Sequence, residues 1–251
     1  MRTFVASLII FVMLAAGALW FLKHPASPLV EVPTETEAPC PVPDPETYAV
    51  TVEEIQLHRD KLAKQYSLAR TEAERKQIIG SARALLELTM PSLMRCWLGT
   101  PWDFNGTASK PGGGKVACGY FVSTIMRDTG FAVHRIRLAQ QPSQNIILTF
   151  VPRHKLQINV GVNYSEYMNL VRKKPYGIYI IGLDKHVGFL VHNQDGLQFI
   201  HSGGLLRRVV DETETDAYSI EKSNYRVIGN LTGNDELIIK WLIKEPFPTH
   251  R

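Results

Sequence analysis

The chain has 251 residues, 45% of them hydrophobic, 21% charged and 9% aromatic, which excludes wholesale disorder and fibrous repeats and leaves enough apolar residues to close a sizeable core. Its 28 Lys and Arg against 24 Asp and Glu give a net charge of +4, far below the basic excess of a dedicated nucleic-acid binder. Seven carboxylates and only Arg2 and Lys23 precede His58, so from Arg59 onward 26 basic residues face 17 acidic ones; this mildly cationic body either favours an anionic polymer or surface as partner or simply stays soluble through its charge.

Residues 4–22 are 19 consecutive uncharged, mostly apolar positions flanked by Arg2 and Lys23. A helix of that length reaches ~30 Å, the thickness of a bilayer's hydrocarbon core. It reads as an uncleaved membrane anchor in preference to a removed leader, although Ala16, Gly17 and Ala18 offer a small-residue cleavage pattern. From Pro25 to Pro45 the chain carries seven of its 15 prolines, the composition of an extended spacer. The expected division is an anchor or leader at 1–23, a Pro-rich linker at 24–46, a helical hairpin at 47–95 and a larger body at 96–251. The cysteines are Cys40, Cys96 and Cys118; in an oxidising compartment Cys40 could pair with Cys96, leaving Cys118 single.

Thr51 with Glu54 and Thr71 with Glu74 each fit the S/T-x-x-E box that opens a helix. The first predicted helix runs to about Leu68 with Ile55, Leu62 and Tyr66 on one face. The second carries Ile78, Ile79, Ala82, Leu85 and Leu86 and should stop near Pro91. After the glycines 112–114, read as a flexible loop rather than a phosphate loop, a third helix begins near Cys118, with Phe121, Val122, Ile125 and Met126 as its apolar stripe and Gly130 as its stop. Beyond it the pattern turns to short strands at 146–151, 177–183, 186–192, 197–201, 205–210, 225–231 and 237–243. Helices followed by strands predict an α+β domain with an antiparallel sheet.

Cys118 is placed for chemistry. A thiol in the first turn of a helix meets the positive end of the helix dipole, which is expected to lower its pKa, and the free N–H groups there can hold an oxyanion. A nucleophilic cysteine needs a base, and His186 and His201 each stand at the end of an apolar strand. A turn centred between Gln194 and Asp195 sets residue 186 across from 203 and residue 188 across from 201, leaving His186 and His201 about one pleat apart. One ring can then act as base to Cys118 while the other orients it. His192 could share a face with His186 as a metal pair, but no Cys or carboxylate completes a ligand set, so neither metal nor cofactor is expected. Arg172, Lys173 and Lys174 read as a solvated loop, and no nucleic acid is expected as partner.

The runs GTPWDFNG at 99–106, ACGYFV at 117–122, HVGFL at 186–190 and FIHS at 199–202 resemble, in order, the successive motifs of the NlpC-like, papain-fold cell-wall cysteine peptidases. The resemblance covers about residues 97–203. It implies a papain-like fold, cleavage of peptide amide bonds in peptidoglycan stem peptides, Cys118 as nucleophile, His186 as general base and His201 as the orienting third member. Trp102, Asp103 and Gly119 would border the substrate. Members commonly carry Asp before and Ser after the nucleophile, where this chain has Ala117 and Gly119, and a Tyr hydroxyl near the oxyanion, where it has Trp102 with only an indole N–H. A remoter similarity to CHAP-type amidases shares the same Cys-then-His order. The implied protein acts outside the cytoplasm, tethered to a membrane or secreted, with peptidoglycan or another anionic wall polymer as partner. The alternatives are an inactive papain-fold module that binds the wall or serves as scaffold, and a thiol-dependent acyltransferase.

Overall fold

A computed structural model describes residues 41–250. The expected membrane segment at 4–22, Cys40 and the linker up to residue 40 lie outside the described residues. Among those described, no helix is long and apolar enough to cross a membrane.

Helix α1, Pro45–Leu68, starts earlier than its Thr51 signal. Asp44 accepts the Thr47 N–H at 2.9 Å and Pro45 occupies the first turn, where its missing N–H has no partner to lose. Thr51 is therefore interior to the helix, its hydroxyl donating to the Thr47 carbonyl at 2.8 Å. The end of the expected linker is thus helical. Helix α2, Glu72–Arg95, does start on its box: the Glu74 N–H donates to Thr71 Oγ1 and the Thr71 N–H to Glu74 Oε2, both at 3.1 Å. It does not stop at Pro91, which is buried within it. The hydrogen bond that Pro91 cannot donate is offset by burial of its neighbours Met90, Leu93 and Met94 in the core.

The order continues with α3 (Cys118–Asp128), α4 (Arg135–Ala139), α5 (Ser143–Leu148), β1 (Gln157–Val160), α6 (Tyr164–Arg172), β2 (Gly177–Leu183), β3 (Val187–Asn193), β4 (Gly196–Gly203), β5 (Arg208–Thr213), α7 (Tyr218–Lys222), β6 (Tyr225–Asn230) and α8 (Asp235–Leu242). The strands form one six-stranded sheet in the order β1-β6-β2-β3-β4-β5, every neighbouring pair antiparallel. The domain is α+β, as the order of elements predicts.

Three expected strands are corrected. Residues 146–148 and 237–242 lie in helices α5 and α8, and the rest of each run is turn or bend. Ile146 and Ile147, and Leu237, Ile238, Trp241 and Leu242, are buried at helical spacing, so tertiary packing overrides their strand-like composition. The expected strand at 205–210 opens instead as a turn, with Arg207 at φ 53°, and the strand proper is displaced to β5.

The sheet is covered on both faces. The larger core lies between the sheet and helices α1, α2, α3 and α8, and the smaller one gathers Tyr167, Met168 and Val171 of α6 with Tyr179, Leu190 and Phe199. Within the larger core an edge-to-face series runs Tyr48–Trp97–Phe121–Phe189, with ring centroids 5.8, 5.9 and 6.1 Å apart. Each such contact adds about 0.5–1.5 kcal/mol to the area it buries. The series fastens α1 to α3 and α3 to β3. Tyr48 also donates to Asp128 at 2.6 Å, and Arg59 to the Gly130 carbonyl at 2.6 Å. These bonds hold the C-terminal end of α3, while Phe121 near its start is held by Trp97 and Phe189 of β3.

Candidate active site

Cys118 is the first residue of α3, behind Ala117, whose side chain offers no cap. The preceding loop is tied down by backbone bonds, Val116 N–H to the Pro101 carbonyl and Ala117 N–H to the Gly106 carbonyl, both at 2.9 Å. Ser202 of β4, fully buried, donates to the Val116 carbonyl at 2.7 Å, which joins the approach to Cys118 directly to the strand carrying His201.

The β3–β4 hairpin has the register expected from its turn: Asn193 pairs with Gly196 and Phe189 with Ile200. The ladder ends there, although β3 begins at Val187 and β4 runs on to Gly203. Beyond it the strands stay close at Gly188 and His201, and the N–H of Val187, beside His186, turns to the Cys118 sulfur, as do those of Gly119 and Cys118 itself. His201 belongs to the face of the smaller core, stacked on Phe199 with centroids 4.0 Å apart and planes at 19°. Cys118 packs against the larger core. Cys118 is tied to this end of the sheet through the Val187 N–H, which follows His186 in the chain.

His186 Nε2 and His201 Nδ1 are 2.8 Å apart, their rings edge to face. The structure therefore brings together the two histidines that the sequence singled out. Among the described residues no hydrogen bond joins the Cys118 sulfur to a ring nitrogen of His186 or His201, whose bonds run to each other and to Glu212. With Nε2 engaged, Nδ1 is the nitrogen of His186 left to serve Cys118, and such contacts often tighten only when substrate is bound.

The row of polar groups is longer than the sequence suggested. His201 Nε2 lies 2.9 Å from Glu212 Oε2, and the two side chains are 3% and 10% exposed. Glu212 belongs to β5, where it pairs with Phe199 while His201 pairs with Val210; directly opposed residues share a face, so Glu212 is the diagonal neighbour of His201. Sequence reasoning missed it by ending the strand at Val210. The Gly203-Gly204 pair, read as the start of a turn, would have set the register that reveals it.

The electrostatics correct one expectation. Burial lifts the Cys118 thiol above its ordinary pKa, and the N–H groups of Val187, Gly119 and Cys118 only partly oppose it. Dipole stabilisation at a helix end is worth about 0.3–1 kcal/mol, and removing a thiolate from water costs more here. Burial also lowers both imidazoles to about 3, His186 with a further contribution from neighbouring His201. The thiol and both rings therefore rest uncharged near neutral pH. Glu212 moves the other way, pushed up to about 7 by burial and then by the charge of Asp216.

Trp102 reaches the same end of the sheet. Its N–H donates to the Arg207 carbonyl at 2.8 Å, and its indole covers Gly204, where a Cβ would lie 3.2 Å from the ring. Asp103 is occupied within its own loop, accepting from the Asn105 N–H at 2.9 Å and from Lys115 Nζ at 3.3 Å. Gly119 is glycine for a steric reason: a Cβ there would lie 2.3 Å from the Ala139 carbonyl oxygen. The Ser common at this position in the resembled family has no room unless α4 moves. His192 stands at the far end of β3 with its ring edge-on to Tyr176, centroids 4.9 Å apart. Six residues of strand put it roughly 20 Å from His186, which removes the suggested metal pair. Arg172 is held by Glu214 through two bonds, at 3.0 and 2.9 Å, and is not a free cation.

Comparison of the chain with protein-family models, with curated proteins and with solved structures gave no match.

Proposed function

We propose that the protein is an extracytoplasmic cysteine hydrolase of papain-like, NlpC-like type that cleaves peptide amide bonds, with peptidoglycan stem peptides as its substrate class. The observations that support the reading are the hydrogen-bonded pair His186–His201 and the place of Cys118 at a helix N-terminus, with the Val187 N–H, next in the chain to His186, directed to its sulfur. The apolar run at 4–22 and the spacer after it suit a body held off a membrane, and the cationic excess beyond Arg59 suits an anionic wall polymer.

In this reading the Sγ proton passes to His186 Nδ1 as the sulfur bonds to the scissile carbonyl carbon. The carbonyl electrons move to oxygen, held by the Cys118 N–H at the helix terminus. Collapse breaks the C–N bond, and His186 gives its proton to the departing amine. Water, deprotonated by His186, then hydrolyses the thioester and frees Cys118. His201 keeps the His186 ring in place throughout.

Incubation of the protein with purified peptidoglycan, followed by mass analysis of the fragments, tests the proposal. Wild type is expected to release fragments with new amine and carboxylate ends, and Cys118→Ala to release none while keeping its fold. Turnover unchanged by Cys118→Ala rules the mechanism out. A second reading, a papain-like module that binds wall peptides without cutting them, is favoured by the raised thiol pKa and by the lack, among the described residues, of a hydrogen bond from the sulfur to either histidine ring; sedimentation with peptidoglycan in the absence of any fragment release is its signature.

A further inference from the structure

Glu212, His201 and His186 form one hydrogen-bonded row: Oε2 to Nε2 at 2.9 Å, then Nδ1 to Nε2 at 2.8 Å. We propose that Glu212 is a positioning residue whose carboxylate fixes the tautomers of both imidazoles, so that His186 presents a bare Nδ1 to Cys118. The inference rests on the roles given above to Cys118 and His186.

The argument follows from counting protons on neutral rings. An ionised carboxylate only accepts hydrogen bonds. His201 must then carry its proton on Nε2, which makes its Nδ1 an acceptor. His186 must in turn carry its proton on Nε2 to donate to His201, and its Nδ1 keeps a lone pair. When that lone pair takes the Cys118 proton, the imidazolium formed is balanced by the Glu212 charge two bonds along the row. A protonated Glu212 reverses every donor. It gives its proton to His201 Nε2, His201 gives Nδ1–H to His186 Nε2, and His186 is left with Nδ1–H facing the sulfur, unable to accept.

His201 faces Glu212 from β4, and Asp216 faces it from the turn after β5, raising its pKa to about 7 together with burial. Arg172 of α6 pairs with Glu214, Lys222 of α7 with Glu221, and Arg95 of α2 with Asp211. Tyr164 of α6 donates to the Glu214 carbonyl.

The test is nitrogen NMR of the full chain labelled at histidine, held in detergent micelles and titrated from about pH 5 to about pH 9, since bare and protonated ring nitrogens resonate far apart. His186→Gln and His201→Gln assign the two rings. Wild type is expected to show bare Nδ1 on both rings above about pH 7 and protonated Nδ1 below it, following Glu212 rather than the ordinary histidine range near 6.5. Glu212→Gln, close in size but unable to titrate, is expected to abolish the step. A step that persists in Glu212→Gln, or rings that hold one tautomer across the range in wild type, overturns the proposal. The tautomer readout needs no turnover, so failure of the row and failure of the hydrolase reading are separate results.

Discussion

Gly188 and His201 face each other beyond the end of the β3–β4 ladder, so closely that a Cβ on Gly188 would lie 2.7 Å from His201 Cβ and 2.6 Å from the Phe199 ring. The space at Gly188 is what allows His201 to stack on Phe199 and reach both His186 and Glu212. Gly188→Ala is expected to cost about 1–3 kcal/mol by overpacking and to break the contact between the two imidazoles. Denaturant unfolding measures the first effect, and histidine NMR the second.

Gly119→Ser restores the residue common in the resembled family and tests whether its absence is steric. With the Ala139 carbonyl only 2.3 Å from the added Cβ, the substitution is expected to lower stability by about 1–3 kcal/mol. A neutral or stabilising effect in urea unfolding would show that α4 yields freely.

Acid should weaken the fold through the buried rings. Their folded pKa values, about 3, lie below the ordinary 6.5, so between those limits the unfolded chain takes up protons that the native state refuses. Their contribution is complete above 6.5 and is lost as pH falls through that window, by about 2 kcal/mol per ring from about pH 7 to about pH 5. Glu212 has the opposite sign. Its raised value means that its contribution is complete below 4.5 and is lost as pH rises through about 7. Urea unfolding of wild type against the double variant His186→Gln/His201→Gln isolates the histidine part, and the variant should show the shallower decline toward acid.

Cys118 should alkylate slowly in the free protein. Burial holds its pKa above the ordinary thiol value, so at about pH 7 its reaction with iodoacetamide is expected to be about 10-fold or more slower than that of a free cysteine. Mass analysis of the peptide containing Cys118 distinguishes it from Cys96, and a rate above that of free cysteine would contradict the raised pKa.

What the sequence made legible was local. The Thr71–Glu74 box and the Asn193–Gly196 turn each involve a few neighbouring residues, and both are realised as read. Thr51–Glu54 misled because the same pattern occurs inside a helix once Asp44 and Pro45 have opened it upstream. Pro91 misled because a helix can continue through a proline when its flanks are buried. The strand-like runs in α5 and α8 failed for a related reason: burial on one face chose the helical period over residue preference. In the candidate site, Cys118, His186 and His201 were visible because each marks the end of an element. Glu212 was not, because its place depends on the register of β5 against β4, which the turn at 204–207 conceals.

Keeping Cys118 in its acid form has a consequence for durability. Peroxides and disulfides react with thiolate, and an uncharged, buried sulfur offers them little purchase. On the proposed function, such a thiol survives an oxidising milieu without a reductant, because its reactivity is drawn out by bound substrate rather than carried by the free protein.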